Sequence, residues 1–337
     1  MASQSATNVL AACKREAVFG TEESSGAGAD RIRILDSPGL KLNRANIASN
    51  ERRTDQLMNI GRLGGKSVTG SYTTEVNPGG EFDLFLEDLV RGTIGSLQEE
   101  TTIDNGGAGV GTQVAKVSTP ATPIYRSYTI EQYDTDIDQS ETFIGCRLVS
   151  GAFSFQPGEM ATCEWGFQGV DRNVKTTVQS PWYTSPTLTA GVPLIADDAV
   201  ITYAGSPITT LTGVNLTVST EAAGQPVIGS FVSPDIFMNM LTVSGDITAI
   251  REDLAALDDF DAETEFELKV VLQAPTAAPK LTFAFVCPRI KIMDIDAAFS
   301  GGDAAKVETR QFMGYAPAGQ NNAIDLYTST ETPTLVV

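Results

Sequence analysis

The stretch GGKSVTGSYTTEV, Gly64 to Val76, decides the fold. Its opening Gly-Lys-Ser matches the end of a phosphate-binding loop, which also needs a glycine five residues before Gly65. That position is Ile60, and Gly61 is one residue too close. A phosphate loop follows a strand and opens a helix. Here Val68, Gly70, Tyr72, Thr74 and Val76 alternate to one side, the period of a half-buried strand. The segment reads as a strand entered through a turn, and no nucleotide site is expected.

Similar text surrounds it. RIRIL (from Arg31), LKLNRANI (from Leu40), YRSYTIEQY (from Tyr125), TFIGCRLVSGAFSF (from Thr142) and MATCEWGFQGV (from Met160) are short segments rich in Thr, Val, Tyr and Phe. Gly, Pro, Asn and Asp separate them. This punctuation predicts a mainly β chain, an antiparallel sandwich or barrel. Two helices are expected. In GGEFDLFLEDLVRG, Phe82, Phe85, Leu86 and Leu89 share a face, acidic residues fill the first turns and Gly92 stands at the C-terminal cap. In AIREDLAALDDF, Ile250, Leu254, Leu257 and, less regularly, Phe260 share another. Residues 1–30 read as a flexible arm, and 95–123 as a long surface loop. The polar 43–66 segment, with Arg44, Arg52, Arg53 and Arg62, reads as a second long loop, too polar to fold alone.

The chain repeats itself. SVTGSYTTEV followed by an acidic helix returns as TVSGDITAI followed by another. FIGCRLVSGAFSF with CEWGFQGV returns as FVCPRIKIMDIDAAF with TRQFMGY. The offset is 175 at Gly70/Gly245 and 145 at Gly169/Gly314, shrinking because the first copy carries the 95–123 segment. The expected division is an arm (1–30), a first domain (31–190) and a duplicated second domain (191–337), with a Pro/Gly/Thr-rich boundary at 186–193.

Composition narrows the function. Among 337 residues there are 23 basic and 42 acidic side chains, a net charge of −19, which opposes a nucleic-acid grip. Histidine is absent, which removes Ser-His-Asp, Cys-His and His-metal chemistry. Cys13, Cys146, Cys163 and Cys287 are widely spaced and read as buried thiols of a reducing compartment. No signal peptide or membrane-length apolar run is expected.

The motif candidates fall away in turn. Asp134, Asp136 and Asp138 occupy the first positions of a calcium loop, but Gln139 and Gly145 replace the required Gly and Glu. Gly106, Gly107, Gly109 and Gly111 lack the strand–turn–helix context of a dinucleotide site. The run Leu257–Glu267 reads as an acidic face turned to solvent, a lumen or a neighbour, and Asn215-Leu216-Thr217 as a formal glycosylation site without function. No catalytic, cofactor or metal residue is expected, so the chain binds or builds.

An ordered set of residues carries a resemblance. Gly39, Leu40, Arg44, Ile47, Ser49, Glu51, Arg53 and Asp55 precede Arg62 and Gly65, then Val68 and Gly70. An acidic helix follows, ending Arg91-Gly92-Thr93, then SYTIE at Ser127–Glu131 and the Phe143–Gly145 strand. Across residues 30–175 this resembles tail tube proteins of long-tailed, non-contractile bacteriophages; the second half joins chiefly through the repeat.

The resemblance implies a β-sandwich flanked by a helix, which the internal repeat doubles into two tandem domains, in a structural virion protein; no cofactor is expected. It implies rings that stack into a conduit for the genome, assembled in the host bacterial cytoplasm. The expected partners are further copies of the chain, as a trimeric ring of pseudo-sixfold symmetry or alternatively a hexamer. Tape measure protein and DNA would pass through the lumen without specific binding, and tail terminator and distal tail proteins would cap the ends. No membrane partner is implied. The acidic excess is shared, with 16 basic and 23 acidic side chains through residue 190 and 7 and 19 after it. The competing reading is a secreted or surface β-sandwich binding module of adhesin type, for which Trp165 and Trp182 are the candidate aromatic platform.

Overall fold

The computed structural model describes residues 3–99, 103, 113–119, 122–176, 181–189, 191–274, 281–297 and 305–329. The fold is mainly β. In the first half the strands are β1 (Val9–Arg15), β2 (Asp30–Ile32), β3 (Gly39–Ile47), β4 (Arg62–Glu75), β5 (Thr93–Ile94), β6 (Gln98–Glu99), β7 (Gln113–Ser118), β8 (Tyr128–Asp134), β9 (Gln139–Phe155), β10 (Thr162–Gly169) and β11 (Asp171–Lys175), with helix α1 (Gly80–Leu89) after β4. The second half holds β12 (Ala199–Tyr203), β13 (Ser206–Pro207), β14 (Leu211–Gly224), β15 (Ile236–Ile250), helix α2 (Ala255–Asp261), β16 (Glu265–Gln273), β17 (Thr282–Asp296), β18 (Val307–Gly314) and β19 (Asp325–Thr328).

All pairings between these strands are antiparallel, and the two halves use one scheme. In the first, β2 pairs β1, β1 pairs β8, and β8 and β11 flank the start of β9; β3 pairs β4, β4 pairs β10, and β10 pairs the end of β9. In the second, β13 pairs β12, β12 pairs β16, and β16 and β19 flank the start of β17; β14 pairs β15, β15 pairs β18, and β18 pairs the end of β17.

The registers agree as well. Gly70 lies opposite Phe167 as Gly245 lies opposite Phe312, and Val68 opposite Gly169 as Val243 opposite Gly314. Even the bulges coincide. The β3–β4 ladder skips Ala45, and the β14–β15 ladder skips Glu221; β9 skips Val149 against β10, and β17 skips Met293 against β18. Such bulges bend a strand and increase its twist. Those at Val149 and Met293 lie where β9 pairs β10 and β17 pairs β18, past the pairings with β8 and β16.

Two further pairings join the halves: β19 pairs β7, and β14 pairs β9, from Val214 opposite Phe155 to Ser219 opposite Ser150. The result is a continuous sheet in the order β3-β4-β10-β9-β14-β15-β18-β17. The largest hydrophobic cluster lies against it and spans both halves. Phe82 of α1 meets Trp165 edge-on at 5.5 Å and Phe283 at 5.4 Å, while Phe153 stacks on Phe283 at 5.4 Å. The apolar stripe Phe82, Phe85, Leu86 and Leu89 is buried as its spacing requires.

Several expectations need correction. Residues 9–15 of the expected arm form β1, because Ala11 and Cys13 have an apolar sheet to enter beside β8. The loop expected at 43–66 is narrower: ladder pairing runs to Ile47 and resumes at Arg62, leaving 48–61. Within 95–123, β7 buries Val114 and Val117 and pairs β5, β6 and β19, so the described part of that segment belongs to the sheet. The second helix is displaced, since Ala249 and Ile250 continue the ladders of β15 and only Ala255–Asp261 is helical. Leu254 is exposed at 61 %, because α2 lies largely outside the core. Gly106, Gly107, Gly109 and Gly111 lie outside the described residues.

Candidate assembly surface

The joined sheet has two unlike faces. Along β10, Cys163, Trp165 and Phe167 are buried, whereas Thr162, Glu164, Gly166 and Gln168 point away from the core. Their neighbours on this outer face are small or polar: Ser71 and Thr73 on β4, Ser150 and Ala152 on β9, Thr217 and Ser219 on β14, Ser244 and Thr248 on β15. Short hydroxyl side chains bond across the strands, with Ser219 Oγ 3.1 Å from Thr242 Oγ1 and Thr248 Oγ1 3.2 Å from Thr309 Oγ1. A Cβ added at Gly166 would come within 2.3 Å of Ser150 Oγ, so the glycine lets the face lie flat there.

Carboxylates mark this face. Glu75, Glu164, Asp246, Asp294 and Asp296 all sit on the outward parity of their strands. Asp246 accepts from Asn215 Nδ2 at 3.0 Å. Lys41 occupies the same face at the β3 edge, and Lys291 is held near the other edge by Glu263 at 3.1 Å and Glu265 at 3.8 Å. Five carboxylates against two lysines at its edges leave the face net negative, which opposes phosphate binding.

The edges complete the surface. Among the described residues β3 pairs only with β4, and Asp294–Asp296 of β17 pair only with β18. Such edges are templates for another strand. Beyond the sheet, the β3–β4 and β14–β15 hairpins carry exposed apolar side chains: Leu57, Met58 and Ile60 in the first, Ile228, Phe237 and Met240 in the second.

The other singled-out residues have structural places. Lys66 pairs with Asp171 at 2.6 Å, not with a phosphate. Asp136 accepts from the Ser5 N–H at 2.7 Å and Asn8 Nδ2 at 2.9 Å, while Asp138 accepts from Tyr133 Oη at 2.6 Å and raises that phenol to about 12. Leu216 of the Asn215-Leu216-Thr217 sequence is buried within β14. The four thiols are buried, and desolvation pushes each up. Trp165 donates to Thr74 Oγ1 at 2.9 Å inside the core, and Trp182 lies under Lys175 Nζ, so the pair forms no open aromatic platform. In the 43–66 segment Arg53 pairs with Asp55, and Arg44 stacks over Phe231 at 5.6 Å.

Sequence reasoning missed the ionic cluster beneath α1. Asp88 meets Arg126 at 2.9 Å and Arg15 at 3.3 Å and also accepts from Tyr128; burial nonetheless raises its carboxyl. Asp83 accepts from Thr328 Oγ1 at 2.7 Å, tying α1 to β19, and desolvation lifts it to about 6. The signal was the acidic helix, in which Glu81, Asp83 and Asp88 are buried along with the apolar stripe.

Open edges beside a polar, acidic sheet face are surfaces on which further strands can pair. A family model described as phage tail tube protein matches residues 5–320, and the chain belongs to that family. A comparison with curated proteins gives no significant match. The protein is thus a structural component of the virion, and its family self-assembles into a tube with other tail proteins. No helix among the described residues is long and apolar enough to cross a membrane.

Proposed function

We propose that this chain is the major subunit of the tail tube, that it closes into rings, and that stacked rings form a hollow conduit for the genome. The observation that carries this reading is the recurrence of one pairing scheme, bulges included, in a sheet whose two outermost strands have no second partner there among the described residues. Closing on copies of itself removes both aggregation-prone edges of such a sheet at once.

The same recurrence supports two tandem domains, 31–190 and 191–337, with residues 1–30 joined to the first through β1. Each domain supplies one wall segment, so a ring of three chains has pseudo-sixfold symmetry; six chains is the alternative. The outer polar face is the lumen wall. Its carboxylates let tape measure protein and DNA pass without adhering. Terminator and distal tail proteins close the two ends, and assembly takes place in the host cytoplasm. The 48–61 hairpin gains its order against neighbouring subunits or rings.

Cryo-electron microscopy of the purified, assembled protein tests this. Stacked rings with three chains per layer and an open channel are expected. A monodisperse monomer at high concentration, with and without its assembly partners, would remove the proposal. Six chains per layer would remove only the trimer.

A further inference from the structure

The internal joint between β9 and β14 is a template for a joint between chains. In it Leu216 lies opposite Phe153, Thr217 opposite Ala152, Val218 opposite Gly151 and Ser219 opposite Ser150. β3 is the first-half equivalent of β14: Leu40 opposes Gly70 as Leu216 opposes Gly245, and Leu42 opposes Val68 as Val218 opposes Val243. β17 is the second-half equivalent of β9: Asp294 follows the bulge at Met293 as Ser150 follows the bulge at Val149, opposite Gln311 and Gly166 respectively. Both β3 and this end of β17 lack a second strand among the described residues.

We infer that β17 of one chain pairs antiparallel with β3 of a second copy, with Asn43 opposite Asp294, Leu42 opposite Ile295, Lys41 opposite Asp296 and Leu40 opposite Ala297. Both faces of this ladder are chemically matched. Leu40, Leu42, Ile295 and Ala297 fall on the parity of the buried Leu216, Val218 and Phe153, toward the core. Lys41, Asn43, Asp294 and Asp296 fall on the polar face, and exposed Lys41 lands opposite exposed Asp296 and diagonal to exposed Asp294. Opposite charges across a strand pair stabilise it, while like charges directly opposite destabilise it. A slip of one residue would turn Lys41 against Ile295 or Ala297 and carry the leucines to the wrong face.

The hairpins extend the match. Within the chain the β14–β15 hairpin leans on the first half, where the Phe231 carbonyl accepts from the Lys66 N–H at 2.8 Å and Arg44 covers the Phe231 ring. The equivalent contact between chains lays the neighbour's 48–61 hairpin across β14 and β15 near Thr220 and Leu241. Met240, exposed at 83 %, and Phe237, at 58 %, wait there. Leu57 and Met58 of the neighbour are of the kind needed to cover them.

This inference rests on the ring reading, and disulfide trapping separates the two. The four native thiols are buried, so paired cysteines at Lys41→Cys with Asp296→Cys, and at Leu42→Cys with Ile295→Cys, report on the joint. Adjacent positions alternate between hydrogen-bonded and closer non-hydrogen-bonded pairs, so one of the two has the shorter Cα separation. Oxidised tubes are expected to yield covalent multimers with at least one of these pairs, and several-fold fewer with Lys41→Cys and Asp294→Cys, a diagonal pair. Tubes in which neither pair links, or in which the diagonal pair links as readily, overturn this register and leave the ring reading intact. Wild-type protein that forms no rings overturns both. If the cysteine variants do not assemble, charge exchange decides: Lys41→Asp raises the concentration needed for assembly several-fold, and adding Asp296→Lys restores it. Failure of that rescue also overturns the register.

Discussion

Arg91 donates from its guanidinium to Thr220 Oγ1 at 2.7 Å and to the Asn239 carbonyl at 2.7 Å, fastening the end of α1 to the bulge of the second-half hairpin. It does so from a left-handed backbone, with φ of 56°. The helix ends with the Gly92 N–H on the Glu87 carbonyl at 2.7 Å and the Arg91 N–H on the Asp88 carbonyl at 3.2 Å. Arg91 therefore holds the left-handed cap position that the sequence assigned to Gly92. A glycine there would relieve about 1 kcal/mol of backbone cost.

The sign of Arg91→Gly follows from comparing that gain with the loss. Hydrogen bonds from a charged donor contribute about 1.5–3 kcal/mol, and Thr220 and Asn239 would each lose one. Denaturant unfolding is expected to show a net loss of about 2–5 kcal/mol, where an ordinary cap position would gain. A more stable Arg91→Gly protein would show that the contact between the halves contributes little.

Asp83 gives a pH signature. Its folded pKa of about 6 exceeds the ordinary carboxylate value because burial outweighs the bond from Thr328. The folded state keeps a proton that the unfolded state releases, so stability is greatest below about pH 4 and falls as pH rises to about 6. The full penalty is roughly 3 kcal/mol. Glu81 and Asp88, also raised by burial, slope the same way. In Asp83→Asn the Thr328 hydroxyl can turn to suit the amide. The variant should melt higher than wild type at pH 8, with the gap closing near pH 4; parallel melting curves across that range would refute the assignment.

Gly70 and Gly245 explain why both copies read Val-x-Gly. A Cβ on Gly70 would lie 2.0 Å from the Gly39 carbonyl oxygen, and one on Gly245 would lie 2.2 Å from the Asn215 carbonyl oxygen. Gly39 and Asn215 hold equivalent places in β3 and β14. Backbone cannot yield as a side chain can, so each Ala substitution should cost about 1–3 kcal/mol. Gly65 on the same strand is the control, since its nearest neighbour is 3.8 Å away and Gly65→Ala should be neutral or stabilising. Equal melting temperatures for Gly70→Ala and Gly65→Ala would contradict the account.

What the sequence disclosed follows from the range of the interactions. The alternation of Val68, Tyr72, Thr74 and Val76 and the stripe of Phe82, Phe85, Leu86 and Leu89 are local patterns, and every one of these side chains is buried. The Gly70/Gly245 and Gly169/Gly314 offsets already contained the strand registers. β1 and β7 were hidden because each is short and gains its burial from distant strands, β8 and β19. Ile250 and Leu254 had helical spacing, but the ladder to β18 captured Ile250 first. The outer face was hardest to see, because Ser, Thr and Gly look alike in a loop and on a polar strand face. Its acidic character was visible only as net charge.

Glu75 and Glu164 test what that face does. They lie on neighbouring strands of the polar face, diagonal to each other, with Glu75 opposite Thr162 and Glu164 opposite Thr73. Neither lies at the β3 or β17 edge, so Glu75→Lys with Glu164→Lys should leave folding and tube diameter unchanged. If the face lines the channel, the reversed charges meet DNA phosphates within a Debye length of about 8–10 Å and hold the moving genome. Virions carrying both changes should form in normal numbers but release DNA more slowly, and added salt should restore the rate by screening the new contacts. Single-particle ejection assays at two salt concentrations read this directly. Unchanged ejection kinetics at low salt would mean that this face of the sheet looks away from the DNA.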